Sequence, residues 1–195
     1  PIIGTALKVD LSQPDGTQQK PQVGIKHFHT LVLLAQNEVG YMNLMRLVSR
    51  SFLDVSAQDE PHVPWALFEE CSAGIICLSG GPSGPLNAAL VQGQVPLAND
   101  IAQRLLDLLD DRFYIELQRH SLETERAAEK GLIDIAYERG IPLVATNEVF
   151  FAAPDDFAAH DALICIAEGE VVAADERRRL THEHYFKSQK EMATL

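Results

Sequence analysis

The chain has 195 residues, 46% of them hydrophobic, which is enough apolar material for one globular domain with a sizeable core. Sixteen basic and twenty-eight acidic residues give a net charge of −12, the wrong sign for a surface that grips nucleic-acid phosphates. No apolar run reaches the roughly 18 residues of a membrane span and no signal peptide is recognisable, so a cytoplasmic protein is expected.

The first elements of the chain are predicted strands. The runs at 1–11 and 24–35 flank the turn signal Pro14-Asp15-Gly16, which favours an antiparallel pair. The first run begins at Pro1, already inside a strand-like pattern and without a methionine, so we expect a piece of a longer chain. Asn37 can cap the helix that follows. Apolar residues recur in that helix at helical spacing: Tyr41, Leu44, Met45, Val48 and Phe52.

From about Gly74 onward, predicted strands and helices alternate. The strand-like runs are "GIICLSG", "RFYIELQ" and "PLVAT". Helical patterns over 86–91, 97–109, 121–137 and 154–167 lie between and after them. This order is typical of an α/β fold with a parallel sheet or barrel, in which functional residues lie at the carboxyl ends of the strands. The three cysteines lie in or beside apolar runs without CxxC spacing, which predicts reduced, buried thiols.

Three of these strands end in residues that could form a site. Gly81, His120 and Glu148 each follow one of them. Imidazole and carboxylate groups bind catalytic divalent ions, so this arrangement would suit a metal hydrolase at a barrel mouth. The spacing alone favours the simpler alternative for His120, an ordinary histidine that opens a helix.

The remaining motifs have structural explanations. The glycines of "LSGGPSGP" match no phosphate-loop pattern and are typical of a turn. His27 and His29 share one strand face and resemble a metal pair. We expect both to face outward, because the largely apolar opposite set suits a barrel interior: Phe28, Thr30, Val32 and Leu34. His160 is expected to bond Asp156, and the arginine run 177–179 to be a solvated face. His62, His182 and His184 belong to no constellation, and no nucleophile motif is present.

Several segments together carry a family resemblance. The chain contains, in order, "PIIGTALKV", "SAGIICLSGGPSG", "FYIELQRH", "GLIDIAYERGIPLVATNEVFF", "AHDALICIAEG" and "YFKSQKEM". It resembles, over nearly its whole length, the PHP (polymerase and histidinol phosphatase) domain of bacterial replicative DNA polymerase III alpha subunits. The resemblance implies a distorted, TIM-like barrel that lacks its N-terminal strands here. It also implies a PHP-type domain over residues 1–180 and an exit segment over 181–195 toward the polymerase palm.

The same resemblance implies a metal site that has decayed. Four positions at which metal-binding members carry a ligand hold other residues here: Ala6, Thr30, Gly81 and Phe150. Glu148 replaces an aspartate ligand, and His120 alone keeps the family residue. Phe150 is expected to fill the former cavity. A functional metal site could still form in two ways. Ligands upstream of Pro1 could complete it, or a slipped strand register could turn His29 inward.

The leading hypothesis is a non-catalytic module that binds no cofactor, in a parent protein that resembles a DNA-directed DNA polymerase. Its implied partners are the polymerase domains of the same parent chain and the proofreading exonuclease subunit, with no direct grip on DNA. The alternative is an active metal-dependent phosphoesterase of a proofreading or pyrophosphatase type, which needs a divalent metal and upstream ligands. A third reading, an unrelated α/β metabolic enzyme, requires the motif matches to be coincidence.

Overall fold

The computed structural model describes residues 2–11 and 28–195. The predicted turn at 14–16 and His27 lie outside these residues. The strands of the described part are β1 (Gly4–Asp10), β2 (Phe28–Ala35), β3 (Val63–Pro64), β4 (Ile75–Leu78), β5 (Phe113–Leu117) and β6 (Leu143–Ala145). Its α-helices are α1 (Glu38–Leu53), α2 (Trp65–Glu70), α3 (Pro85–Val91), α4 (Val95–Leu109), α5 (Glu123–Arg139), α6 (Phe157–Glu168) and α7 (Gln189–Met192).

The strands form one twisted layer in the order β3-β1-β2-β4-β5-β6. β1 and β2 are antiparallel, with Ala6 opposite Val32 and Lys8 opposite Thr30, which confirms the predicted pair. β4, β5 and β6 are parallel, as the alternation of strands and helices predicted. Within the described residues the sheet stays open between β3 and β6, so the fold is an α/β partial barrel of the TIM-like kind.

Helices α1 to α5 cover one face of this sheet. Leu7, Leu31 and Phe113 lie on that face and are fully or almost fully buried in the same core as residues of α1 and α4. The opposite face carries the set expected to line a barrel, Thr30 and Val32 among them, and it is less buried because the barrel is open. His29 has the parity of Leu31, so it faces the helix side, as predicted. Cys71, Cys77 and Cys165 are free and buried, also as predicted.

Helix α1 begins where the sequence indicated but packs through a different face. The Asn37 side chain accepts a hydrogen bond from the Gly40 N–H at 3.0 Å and caps the helix. The buried residues include Leu44 and Leu47, whereas Phe52 is exposed. Gly40 explains the choice, because a Cβ at this position would come within 1.8 Å of the Gly74 carbonyl oxygen. Only a helix turned with glycine toward that carbonyl can approach the sheet so closely.

The prediction that residues 177–179 form a solvated face is wrong for Arg177. The Arg177 side chain is almost fully buried, and its Nη1 and Nη2 atoms each lie 2.6 Å from a carboxylate oxygen of Asp161. Its Nε donates to the Val172 carbonyl at 3.2 Å. Arg178 and Arg179 are exposed, as predicted. One arginine of the run therefore joins α6 to the loop that follows it.

Asp110 is strained, and relieving the strain is expected to stabilise the protein. Its φ of 51° and ψ of −120° lie in a region that only glycine enters without steric strain. We expect Asp110→Gly to raise the free energy of unfolding by about 1 kcal/mol, because the relief exceeds the extra chain entropy of glycine. Urea unfolding measures this. Asp111→Gly, next to it and without a positive φ, should destabilise, and equal effects of the two changes would contradict the strain argument.

Candidate functional site

The predicted site residues meet at one edge of the sheet. Because β2 is antiparallel to β4, its first residues lie beside the carboxyl ends of β4, β5 and β6. The approach is close, since a Cβ on Gly80 would lie 1.9 Å from the Thr30 carbonyl oxygen. Gly81, His120 and Glu148 follow these strand ends, as the sequence predicted. Ala6 lies on β1, on the same sheet face as Thr30, and is exposed.

His120 lies at the centre of this edge and is 1% exposed. Its Nδ1 lies 2.7 Å from Glu125 Oε1, and its Nε2 accepts the backbone N–H of Glu148 at 3.1 Å. A backbone amide can only donate, so Nε2 provides the lone pair and Nδ1 carries the proton that is donated to Glu125. Both ring nitrogens are therefore bonded within the chain.

Glu125 holds both the ring and the backbone of His120. Its Oε2 accepts the backbone N–H groups of His120 at 2.7 Å and Leu122 at 3.0 Å. Burial is the largest influence on the Glu125 pKa and raises it. The hydrogen bonds from the His120 side chain and from the Leu122 and His120 backbone together outweigh burial, so the pKa lies below its usual value. A glutamate in the first turn of a helix is a recognisable capping signal, but it did not mark Glu125 as a site residue.

His184 completes the site, although the sequence assigned it no role. Its buried ring stacks on His120 with centroids 4.1 Å apart and planes 16° apart. Thr181 fixes both residues, because its hydroxyl donates to the His120 carbonyl at 2.6 Å and its N–H donates to His184 Nδ1 at 3.3 Å. Burial is the largest influence on the His184 pKa and lowers it below its usual value.

Residues 181–187 attach along the loop that follows β6. The Phe150 N–H donates to the His184 carbonyl at 2.9 Å, and the Phe186 N–H donates to the Phe151 carbonyl at 3.0 Å. Asn147 Nδ2 donates to the Tyr185 carbonyl at 2.7 Å. The 181–187 segment thus pairs with the loop as a short extended ladder. Contacts across more than thirty residues of sequence leave no local pattern, which is why sequence reasoning missed them.

The prediction that Phe150 fills the former cavity is wrong. The Phe150 side chain is 37% exposed and lies at the rim, with its ring centroid 5.6 Å from that of His160. Phe151 is 7% exposed and packs instead against Phe157 and His160. β6 ends at Ala145, so strand alternation no longer decides which of the two rings is buried. Glu148 is also exposed, and it contributes its backbone N–H to the site.

A second buried network links the ends of β4, β5 and β6. The carboxylate of Glu116 is buried and accepts hydrogen bonds from the Gly80 N–H at 3.1 Å, from Gln118 Nε2 at 3.1 Å and from the Thr146 hydroxyl. The Glu116 N–H donates to the Ser79 hydroxyl at 2.9 Å. Sequence reasoning missed these residues. The available signal was a glutamate in a strand whose neighbours are apolar, at the parity of the barrel interior.

Gln118 lies against one of the altered ligand positions. A Cβ on Gly81 would come within 2.7 Å of the Gln118 amide, and Gly81 has a φ of +53°. Gln118 Nε2 also donates to the Thr146 hydroxyl at 3.1 Å. The amide therefore occupies the space into which a side chain at position 81 would extend.

Gly81→Ala is expected to destabilise the protein more than Gly93→Ala. Both glycines have a positive φ, which costs alanine about 1 kcal/mol, but Gly93 has nothing within 4 Å of its Cβ position. At position 81 the methyl group also displaces Gln118 from its hydrogen bonds, at a further cost of about 1–2 kcal/mol. Chemical unfolding of both variants isolates the steric part. Equal losses would show that Gln118 moves away freely.

A divalent metal site needs several ligands gathered in one place. Among residues 2–11 and 28–195, no group of three or more His, Cys, Asp or Glu side chains is arranged to hold one. The one imidazole of the expected ligand set has its Nε2 lone pair occupied by a backbone N–H.

In the same described residues, no helix is long and apolar enough to cross a membrane.

Comparisons with known proteins agree with the fold. A family model described as the PHP domain matches residues 1–120. The chain is 47% identical to DNA polymerase III subunit alpha of Caulobacter vibrioides, over 100% of the chain and 17% of that relative. It is 34% identical to the Pseudomonas fluorescens subunit of the same name, over 100% of the chain and 16% of that relative. The Treponema pallidum subunit is 37% identical over 89% of the chain and 15% of that relative.

The chain spans about a sixth of the length of these curated relatives. The family model covers 120 of its 195 residues, and the similarity to the alpha subunits extends through the strands and loops that build the site. The protein belongs to the PHP domain family.

Proposed function

We propose that this chain is the PHP module of a bacterial replicative DNA polymerase subunit, that its metal site no longer functions, and that it acts as a structural and partner-docking module. Its partners are the polymerase domains of the same polypeptide and the proofreading exonuclease subunit, in the cytoplasm. The similarity to DNA polymerase III alpha subunits of three bacteria, along nearly the whole chain, supports the parent protein. The acidic net charge of −12 favours protein partners over DNA.

The observation that carries the proposal is the hydrogen bond from the Glu148 N–H to His120 Nε2 at 3.1 Å. The contact between His120 Nδ1 and Glu125 would by itself also suit a metal-binding histidine, because ligating imidazoles commonly donate their other N–H to a carboxylate. A metal at Nε2 would displace the Glu148 amide. Loss of this part-buried hydrogen bond would cost about 0.5–1.5 kcal/mol, so the folded chain opposes the exchange.

In the proposed role, the residues of the former site attach a later segment of the chain to the strand ends. His120 and His184 stack, Thr181 bridges them, and Lys187 Nζ reaches Asn147 Oδ1 at 3.3 Å. These contacts attach the 181–187 segment to the strand ends. The proposed exit segment over 181–195 therefore leaves the domain over 1–180 from an anchored position, which would hold the polymerase domains in a defined orientation.

Metal content tests the proposal. The complete natural polypeptide, purified without chelator, is expected to contain well under one equivalent of zinc, manganese or iron by mass spectrometry. His120→Asn and Glu148→Gln should leave that content unchanged, because neither side chain acts as a ligand. One or more equivalents, lost in either variant, would reject the degraded site. That result would support the metal-dependent phosphoesterase instead, with ligands from outside the described residues.

A further inference from the structure

We draw no further inference here: the strongest candidate, the Gln118 Oε1 atom that lacks a hydrogen-bond partner within the described residues and lies in the buried Glu116 network at the strand ends, belongs to the site already described, and no second observation points to a ligand there.

Discussion

Replacing Phe151 by alanine is expected to lower the free energy of unfolding by about 3–5 kcal/mol, the usual loss for a buried aromatic ring. The Phe151 side chain is 7% exposed and packs against Phe157 and His160. Its backbone also forms a bridge with Tyr185, so the cavity would open between the loop after β6 and the 181–187 segment. Urea unfolding of the complete polypeptide, followed by fluorescence and circular dichroism, gives the loss.

Phe150→Ala is the matched control for this prediction. The two residues are adjacent and identical in type, but the Phe150 ring is 37% exposed at the rim and leaves less of a cavity when removed. We expect a loss clearly smaller than that of Phe151→Ala. A larger loss for Phe150→Ala would mean that this ring fills the former site after all, as the sequence alone suggested.

His120→Ala is expected to cost at least about 3 kcal/mol of unfolding free energy. The change removes a buried ring that stacks on His184, and it leaves the Glu148 N–H without its acceptor and Glu125 without its side-chain donor. The buried Glu125 carboxylate contributes about 1–3 kcal/mol when it loses this donor, and the part-buried Glu148 amide contributes less. His182→Ala is the control. His182 is exposed, and its ring contacts that of Phe157. It should cost much less.

The loss caused by His120→Ala should depend on pH. The pKa of Glu125 in the folded protein lies below its usual value near 4.5, so the charged carboxylate stabilises the fold above that pH. This contribution disappears as the pH falls through the depressed folded pKa. The difference in stability between the natural protein and His120→Ala should therefore narrow on acidification below about pH 4.5. Urea unfolding at pH 7 and at decreasing acid pH measures it, and a difference that widens in acid would contradict the role assigned to Glu125.

Local sequence pattern was sufficient for the order of elements. The antiparallel pair β1 and β2, the Asn37 cap and the alternation after Gly74 all follow from periods of two and 3.6 residues and from capping chemistry. The same pattern placed His120 and Glu148 at strand ends. In a parallel sheet the carboxyl ends meet at one edge, so the sequence also determined that these residues lie at a common mouth.

Only the tertiary structure decided what the residues at the mouth contact. Whether α1 buries Leu47 or Phe52 depended on the close approach of Gly40 to Gly74, which joins segments more than thirty residues apart. The partners of His120 show the same limit, since Glu148 and His184 reach it from other parts of the chain. Periodicity reports which side chains share a face of one element. It carries no information about which distant segment covers that face, and that pairing determines whether an imidazole is free to bind a metal or is already bonded.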